Sequence, residues 1–224
     1  MRLIIFDCDG TLIDSQHMIV EAMRAAFSAN GIPIPDRAAV LRHVGLSVVD
    51  AMEMMTGLRG GETVARLAAD YRTSFAALRH EARIADPLFP GAREALEALA
   101  AESDLRLGIA TGKSRRGVAA LLEREGLEGV FATIQTADDA PSKPHPAMIL
   151  QAMNAVGVSP SATIMIGDTS FDMLMARAAG TEAIGVAWGY HSGEELAEAG
   201  ASIVTRDFPE LLRMLVPARG VVAA

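Results

Sequence analysis

Five short apolar runs, each broken off by glycine or a polar residue, constrain this chain more than any other feature of it. Leu3-Ile4-Ile5-Phe6 stops at Asp7, and Leu105 to Ala110 stops at Thr111-Gly112. Val130 to Ile134 runs into a polar loop, Thr163 to Ile166 ends at Gly167-Asp168, and Ala183 to Ala187 ends at Trp188-Gly189. Runs this short and this uniformly apolar fit strands buried on both faces of a parallel sheet. Helix-length patterns lie between the later runs, at Ala92 to Ala101, Arg115 to Arg124, Ala147 to Val156 and Phe171 to Ala179. Gly126, Gly157 and Gly180 follow three of them as C-caps. Strand and helix in alternation predict an α/β fold: a doubly wound parallel sheet with a Rossmann-like core.

Residues 15 to 85 break the alternation, because they carry helical periodicity alone between the first and second strands. Helices are expected at Gln16 to Ala29, Asp36 to Val44, Val48 to Met55 and Glu62 to Leu78, separated by Gly31 to Pro35, Gly45 and Gly57. The organisation expected is therefore a catalytic core, residues 1–14 and 86–224, with an inserted helical cap domain at 15–85. The tail from Pro217 reads as frayed.

A chain of 224 residues holds one or two domains. Half of it is hydrophobic with only 4% aromatic, so the core must be built from Ala, Val, Leu, Ile and Met. The formal charge of -8 argues against a nonspecific grip on nucleic acid or on an anionic membrane, and any anionic substrate then needs a local cluster of cations. Cys8 is the single cysteine, which excludes an internal disulfide and fits a reducing compartment. No run of about eighteen apolar residues occurs, and the short apolar stretch before Asp7 does not read as a signal peptide. A cytoplasmic, soluble protein is expected.

In a doubly wound sheet, ligands bind beyond the carboxyl ends of the strands, so the residues just after each strand come first. The first strand empties into Asp7-Cys8-Asp9-Gly10-Thr11. If the exit stays extended, Asp7 and Asp9 share one side, and two carboxylates there call for a hard cation such as Mg²⁺. A plain Asp9-Gly10 turn is the alternative. The fourth strand ends in Gly167-Asp168-Thr169-Ser170-Phe171-Asp172, where Asp168 could simply cap the next helix. Against that, this strand and the first are expected neighbours, so four acids would converge with no arginine in either motif. Thr111-Gly112-Lys113-Ser114 offers a hydroxyl and free N–H groups at a helix N-terminus, an anion site in outline, or an ordinary turn with Ser114 as N-cap. A nucleotide-binding P-loop is excluded, because Leu107 stands where that motif needs glycine. Pro141-Ser142-Lys143-Pro144-His145-Pro146 fixes a lysine between prolines, which is costly unless the charge is used.

Taken together, Asp7-Cys8-Asp9-Gly10-Thr11, Thr111, Lys143 and Gly167-Asp168 through Asp172 resemble, in order and spacing, the four motifs of the haloacid dehalogenase-like hydrolases. The insertion looks like the helical cap of the phosphoglycolate phosphatase-like branch. The resemblance implies that Asp7 is a nucleophile carrying an aspartyl-phosphate, and that Asp9 protonates the leaving oxygen and then activates water. It implies Mg²⁺ held by Asp7, by the backbone carbonyl of Asp9 and by Asp168, with Asp172 supporting the site. Thr111 and the N–H of Gly112 would bind phosphoryl oxygens, and Lys143 would neutralise nucleophile and phosphate together. In such caps the leaving group is contacted by cap residues, for which Gln16, His17, Arg42, His43, Gly45 and Ser47 are candidates, with His17 and Gly45 placed in the substrate site. The Met52, Met54 and Met55 stripe reads as helix packing.

An acid at position 9 disfavours the dehalogenase and phosphonatase members of that family, which lack it. The expected activity is hydrolysis of a small phosphorylated metabolite such as phosphoglycolate, a sugar phosphate or pyrophosphate. A sugar phosphomutase of the same family is the alternative. A phosphoacceptor signalling domain would carry its Asp after the third strand, where Ile134-Gln135-Thr136-Ala137 has none. A catalytically dead binding module is the remaining rival.

Overall fold

The structure is a computed structural model that describes residues 1–80 and 86–216. The junction expected at residues 85 and 86 and the tail expected from Pro217 therefore fall partly or wholly outside the described residues. Six strands form one parallel sheet: β1 (Arg2–Phe6), β2 (Leu105–Thr111), β3 (Thr133–Thr136), β4 (Thr163–Gly167), β5 (Glu182–Val186) and β6 (Ile203–Thr205). Their order is β3-β2-β1-β4-β5-β6, so the winding reverses between β1 and β4. Phe6, at the end of β1, lies level with Ile109 on β2 and Ile166 on β4. The residues that follow β1 and β4 thus emerge side by side, in the crevice where such sheets bind ligands.

β1 shows why the sheet is a two-sided core. Its apolar residues alternate, with Ile4 and Phe6 entering one buried cluster and Leu3 and Ile5 entering the other. The first cluster is closed by α5 (Ala92–Ala100), α6 (Arg115–Glu125) and α10 (Phe208–Leu215). The second is closed by α7 (Ala147–Val156), α8 (Ser170–Ala179) and α9 (Gly193–Ala199). All four side chains from Leu3 to Phe6 are fully buried, each worth about 1.5–3 kcal/mol of transfer free energy. The expected C-caps at Gly126, Gly157 and Gly180 are present, all three left-handed.

α1 (Gln16–Ala29), α2 (Arg37–Leu41), α3 (Val48–Thr56) and α4 (Gly61–His80) follow β1. They pack around a third cluster that includes Ile19, Met23, Phe27, Val40, Val44, Met52 and Leu67. Of the methionine stripe, Met52 is buried there as expected, whereas Met54 is exposed.

Three expectations need correction. The helix expected over 36–44 stops at Leu41, and residues 42–45 form turns that end in Gly45 with φ of +97°. The third strand is Thr133–Thr136 rather than 130–134: Val130 and Phe131 pack from the preceding loop into the first cluster, and their apolarity was misread as strand. The sixth strand and the last two helices were not expected at all. The helix cap weighed as the plain alternative for Asp168 comes instead from Thr169, in a capping box with Asp172, so the reading that set that alternative aside holds.

Candidate active site

The cluster at the β1–β4 reversal is built from backbone turns. After Phe6 the chain keeps one more sheet contact, Asp7 N donating to Ile166 O at 3.0 Å, and then coils so that the N–H groups of Thr11, Leu12 and Ile13 all point at Cys8 O. Gly10 makes this coil possible. Its φ is +85°, and a Cβ there would lie 2.2 Å from Oδ2 of Asp168. The coil turns Asp7 and Thr11 toward the end of β4, where Thr11 Oγ1 donates to Asp168 Oδ1 at 2.8 Å. Tyr190 N, from the loop after β5, donates to the other Asp168 oxygen at 2.9 Å.

Asp7, Asp168 and Asp172 each bring a carboxylate oxygen within 4.8 Å of the other two, and all three are buried. Lys143 reaches between them. Its ammonium lies 2.7 Å from Asp7 Oδ2 and donates to Asp172 Oδ1 at 2.6 Å. Only 2% of this lysine is exposed, which answers why the sequence spends prolines on fixing it. Asp172 has both oxygens engaged, because Thr169 N and Oγ1 donate to Oδ2 at 3.1 and 2.7 Å. It thereby serves as the anchor of Lys143 and of the α8 N-terminus.

Three buried carboxylates and one ammonium leave negative charge in excess, and the proton affinities record the conflict. Burial pushes Asp168 well above the usual carboxylate range, helped by Asp172 and Asp7. Burial likewise raises Asp7, with Lys143 pulling the other way. Burial would lower Lys143, but Asp172 and Asp7 outweigh it and hold the ammonium firmly charged. A divalent cation fits this donor set: hard oxygens, excess negative charge, and an Asp7 Oδ2 that has no aligned hydrogen-bond donor. Asp7, through Oδ2, and Asp168, whose oxygens meet only neutral donors and no cation among the described residues, are the carboxylates placed to hold it directly.

The expected convergence of four acids is corrected to three. Asp9 lines the same cavity as Asp7, but its carboxylate turns to Lys113, whose Nζ lies 2.7 and 2.9 Å from the two oxygens, and to Ser15 Oγ at 2.6 Å. Burial would raise Asp9, yet the Lys113 ammonium overrides it and holds the carboxyl below its ordinary range. In the sequence Lys113 stands out only as half of a Gly-Lys pair that completes no P-loop. A signal for it did exist: a cation just ahead of the positive end of α6 is misplaced for that helix, so its charge must serve something else. Ser114 is the N-cap, accepting from Gly117 N, as the plain-turn reading held.

Thr111 and Gly112, at the end of β2, line the cavity beside Asp7. Gly112 also marks where the helical segment meets the core, since a Cβ on it would lie 2.4 Å from Leu46 O and 2.7 Å from Gly45 O. Ser47 N accepts this approach by donating to Ser142 Oγ, next to Lys143, at 2.8 Å. The Gly45 to Ser47 loop therefore does face the core, and Gly45 and His43 line the cavity. His17 is exposed on α1, and neither it nor Gln16 is among the cavity residues. Arg42 is also outside, its carbonyl in contact with His191 Nε2 at 3.2 Å.

The cavity encloses about 270 Å³. Its floor is Asp7, Asp9, Thr111, Gly112 and Lys113; its far wall comes from α1 to α4 and includes Ile19, Met23, Val44, Tyr71 and Phe75. Phe75 lies under Lys113, with Nζ 5.1 Å from the ring centroid. Among the described residues no helix is long and apolar enough to cross a membrane.

Comparison with known proteins agrees with this arrangement. The family described as haloacid dehalogenase-like hydrolase matches residues 4–186. A Dickeya dadantii protein named "Probable phosphatase IndB" is 37% identical over 213 residues, covering 94% of this chain and 91% of its own. A Yersinia pestis protein named phosphoglycolate phosphatase is 32% identical, covering 95% and 92%. The crystal structure of a hydrolase from Pseudomonas syringae superposes with a TM-score of 0.85 at 30% identity, covering 96% of this chain and 98% of that one.

Proposed function

The chain belongs to the haloacid dehalogenase-like hydrolases, and from that premise we propose that it is a Mg²⁺-dependent phosphatase that cleaves a small phosphomonoester through an aspartyl-phosphate on Asp7. The observation that carries the reading is the meeting of two differently tuned carboxylates in one cavity. Asp7 is held by Lys143 within a cation-seeking cluster, and Asp9 is held apart from that cluster by Lys113 and Ser15.

Each residue then has a task that its surroundings support. Thr111 and the Gly112 N–H receive phosphoryl oxygens at the end of β2, and Lys143 balances the charge of nucleophile and phosphate. Asp7 attacks phosphorus, the ester oxygen leaves, and Asp9, held ionised by Lys113 until the negative charge of the incoming phosphate lets it take a proton from solvent, gives that oxygen the proton. Asp9, now ionised, takes a proton from water, which cleaves the acyl phosphate and frees Asp7. One difficult displacement becomes two easier ones, and the same carboxyl serves each half in opposite protonation states. Bound through Asp7, Asp168 and the backbone carbonyl of Asp9, Mg²⁺ would supply charge neutralisation at the phosphoryl group. Residues 15–85 act as a cap that keeps bulk water from the acyl phosphate, with Gly45 against the core. A small phosphorylated metabolite is the substrate class, as the names of the relatives suggest.

The test is phosphate release from a panel of small esters, with Mg²⁺ or with chelator, for the native chain and for Asp7→Asn. Release that requires both Mg²⁺ and Asp7 is expected. Release that survives Asp7→Asn would overturn the assignment.

A further inference from the structure

The wall of the cavity opposite Asp7 carries a chemical character that the phosphatase reading does not use. Ile19, Met23, Val40, Val44, Tyr71 and Phe75 make it almost wholly apolar. The cap supplies no carboxylate, amide or aliphatic hydroxyl to this lining; its polar contributions are the Tyr71 phenol, His43, Arg72 and Arg79. Arg79 sits over the Phe75 ring and within 4.0 Å of Asp86 with its Nε buried and unpartnered among the described residues, His43 Nδ1 faces Ala39 O at 2.7 Å, and Arg72 is exposed. On the core side, Lys113 is already committed to Asp9, Ser114 caps α6, and Arg116 is exposed.

We infer that the alcohol released from the phosphate is apolar, a primary alkyl or benzylic alcohol of up to about ring size, rather than glycolate or a polyol. The inference rests on the phosphatase reading and deepens it. Placed against Ile19, Met23, Val40 and Val44, a glycolate carboxylate would lose its hydration with no donor among those side chains, and a sugar would bury hydroxyls there without partners. An apolar body gains contacts at no such cost. Size agrees: an apolar cavity of roughly 150 Å³ takes up a benzene molecule, so about 270 Å³ leaves room for a ring and the phosphoryl group attached to it.

Straight-chain primary alkyl monophosphates from propyl to hexyl test this, because they share one reacting centre and nearly one leaving-group basicity. Each methylene buried should raise kcat/KM about fourfold (~0.8 kcal/mol), or about 60-fold across the series. Benzyl phosphate should exceed 2-phosphoglycolate, glycerol 3-phosphate and ribose 5-phosphate. Phe75→Ser should flatten the chain-length dependence mainly through KM, while Val44→Thr, which keeps volume and adds a hydroxyl, should lower it for hexyl more than for propyl. Asp7-dependent release that is flat along the series, or that favours the polar esters, would overturn the apolar inference and leave the phosphatase standing. No Asp7-dependent release from any ester would end both.

Discussion

Replacing Lys143 with Met removes the one ammonium that pairs with the buried Asp7 and Asp172, and the consequence can be worked out before measurement. The methionine fills a similar volume, so packing is nearly conserved and the change is one of charge. Removing one partner of a buried pair costs about 3–5 kcal/mol, and at about 2–4 °C per kcal/mol for a chain of this length the melting temperature should fall by roughly 6–20 °C. The loss should depend on pH. Burial raises Asp7 and Asp168 above their unfolded values even with Lys143 present, and more so without it. A raised carboxyl is protonated more in the folded state than in the unfolded one between the two pKa values, so stability falls as pH rises through that window. The variant should therefore lie closest to the native chain near pH 5 and furthest below it near pH 8. Mg²⁺ should restore part of the difference, since it binds only the folded cluster. Turnover should drop by about 10²–10³ even with Mg²⁺, the usual scale for losing one charge-stabilising group. Thermal unfolding in chelator and in Mg²⁺ at the two pH values, with phosphate release alongside, would decide it. A variant as stable in chelator as the native chain at pH 8, turning over within threefold of it, would refute the charge argument.

Asp7→Asn should do the reverse to stability: it removes one of three crowded carboxylates, so in chelator the melting temperature should hold or rise while turnover disappears, a divergence that unfolding and release assays read directly. Gly10→Ala sets a Cβ 2.2 Å from Asp168 Oδ2 at a φ of +85°; about 1–3 kcal/mol from the backbone conformation alone should appear in denaturant unfolding, with Mg²⁺ affinity weakened because Asp168 must move. Lys113→Ala frees Asp9 from the cation that holds its pKa down, so the alkaline limb of the kcat/KM profile, above which Asp9 has lost the proton it must give, should move to higher pH; an unmoved limb would mean that Lys113 does not tune Asp9.

The sequence made the sheet legible because buried parallel strands leave continuous apolar runs, and β1, β2 and β4 fall within a residue of where those runs lie. β6 was missed for the same physical reason: Ile203–Thr205 is three residues long, with Ile203 exposed at the sheet edge, too short to show a period. Val130 and Phe131 show the opposite failure, apolar because they pack from a loop rather than because they pair. In the site, the positions after each strand pointed to Asp7, Thr111, Lys143 and Asp168. Charge counting then went too far in drawing Asp9 into the cluster, since spacing along one strand cannot reveal a lysine arriving from the next. Lys113 and Ser15 converge on Asp9 only once β1 and β2 are paired. The apolar cavity wall was likewise invisible, because Ile19, Met23 and Phe75 read in sequence as ordinary core positions of amphipathic helices and acquire another meaning only where those helices face the strand ends.

The central claim, that Asp7 carries the phosphoryl group, is met most directly by trapping it. Asp9→Asn keeps Asp7, Lys143 and the cation cluster while removing the group that activates water, so incubation with Mg²⁺ and a radiolabelled alkyl phosphate should leave hydroxylamine-labile phosphate on the peptide that contains Asp7. Label on that peptide, absent from the Asp7→Asn, Asp9→Asn double variant, is the predicted result; stable label elsewhere, or turnover by the native chain with no label on Asp7 in the variant at any time, would contradict it.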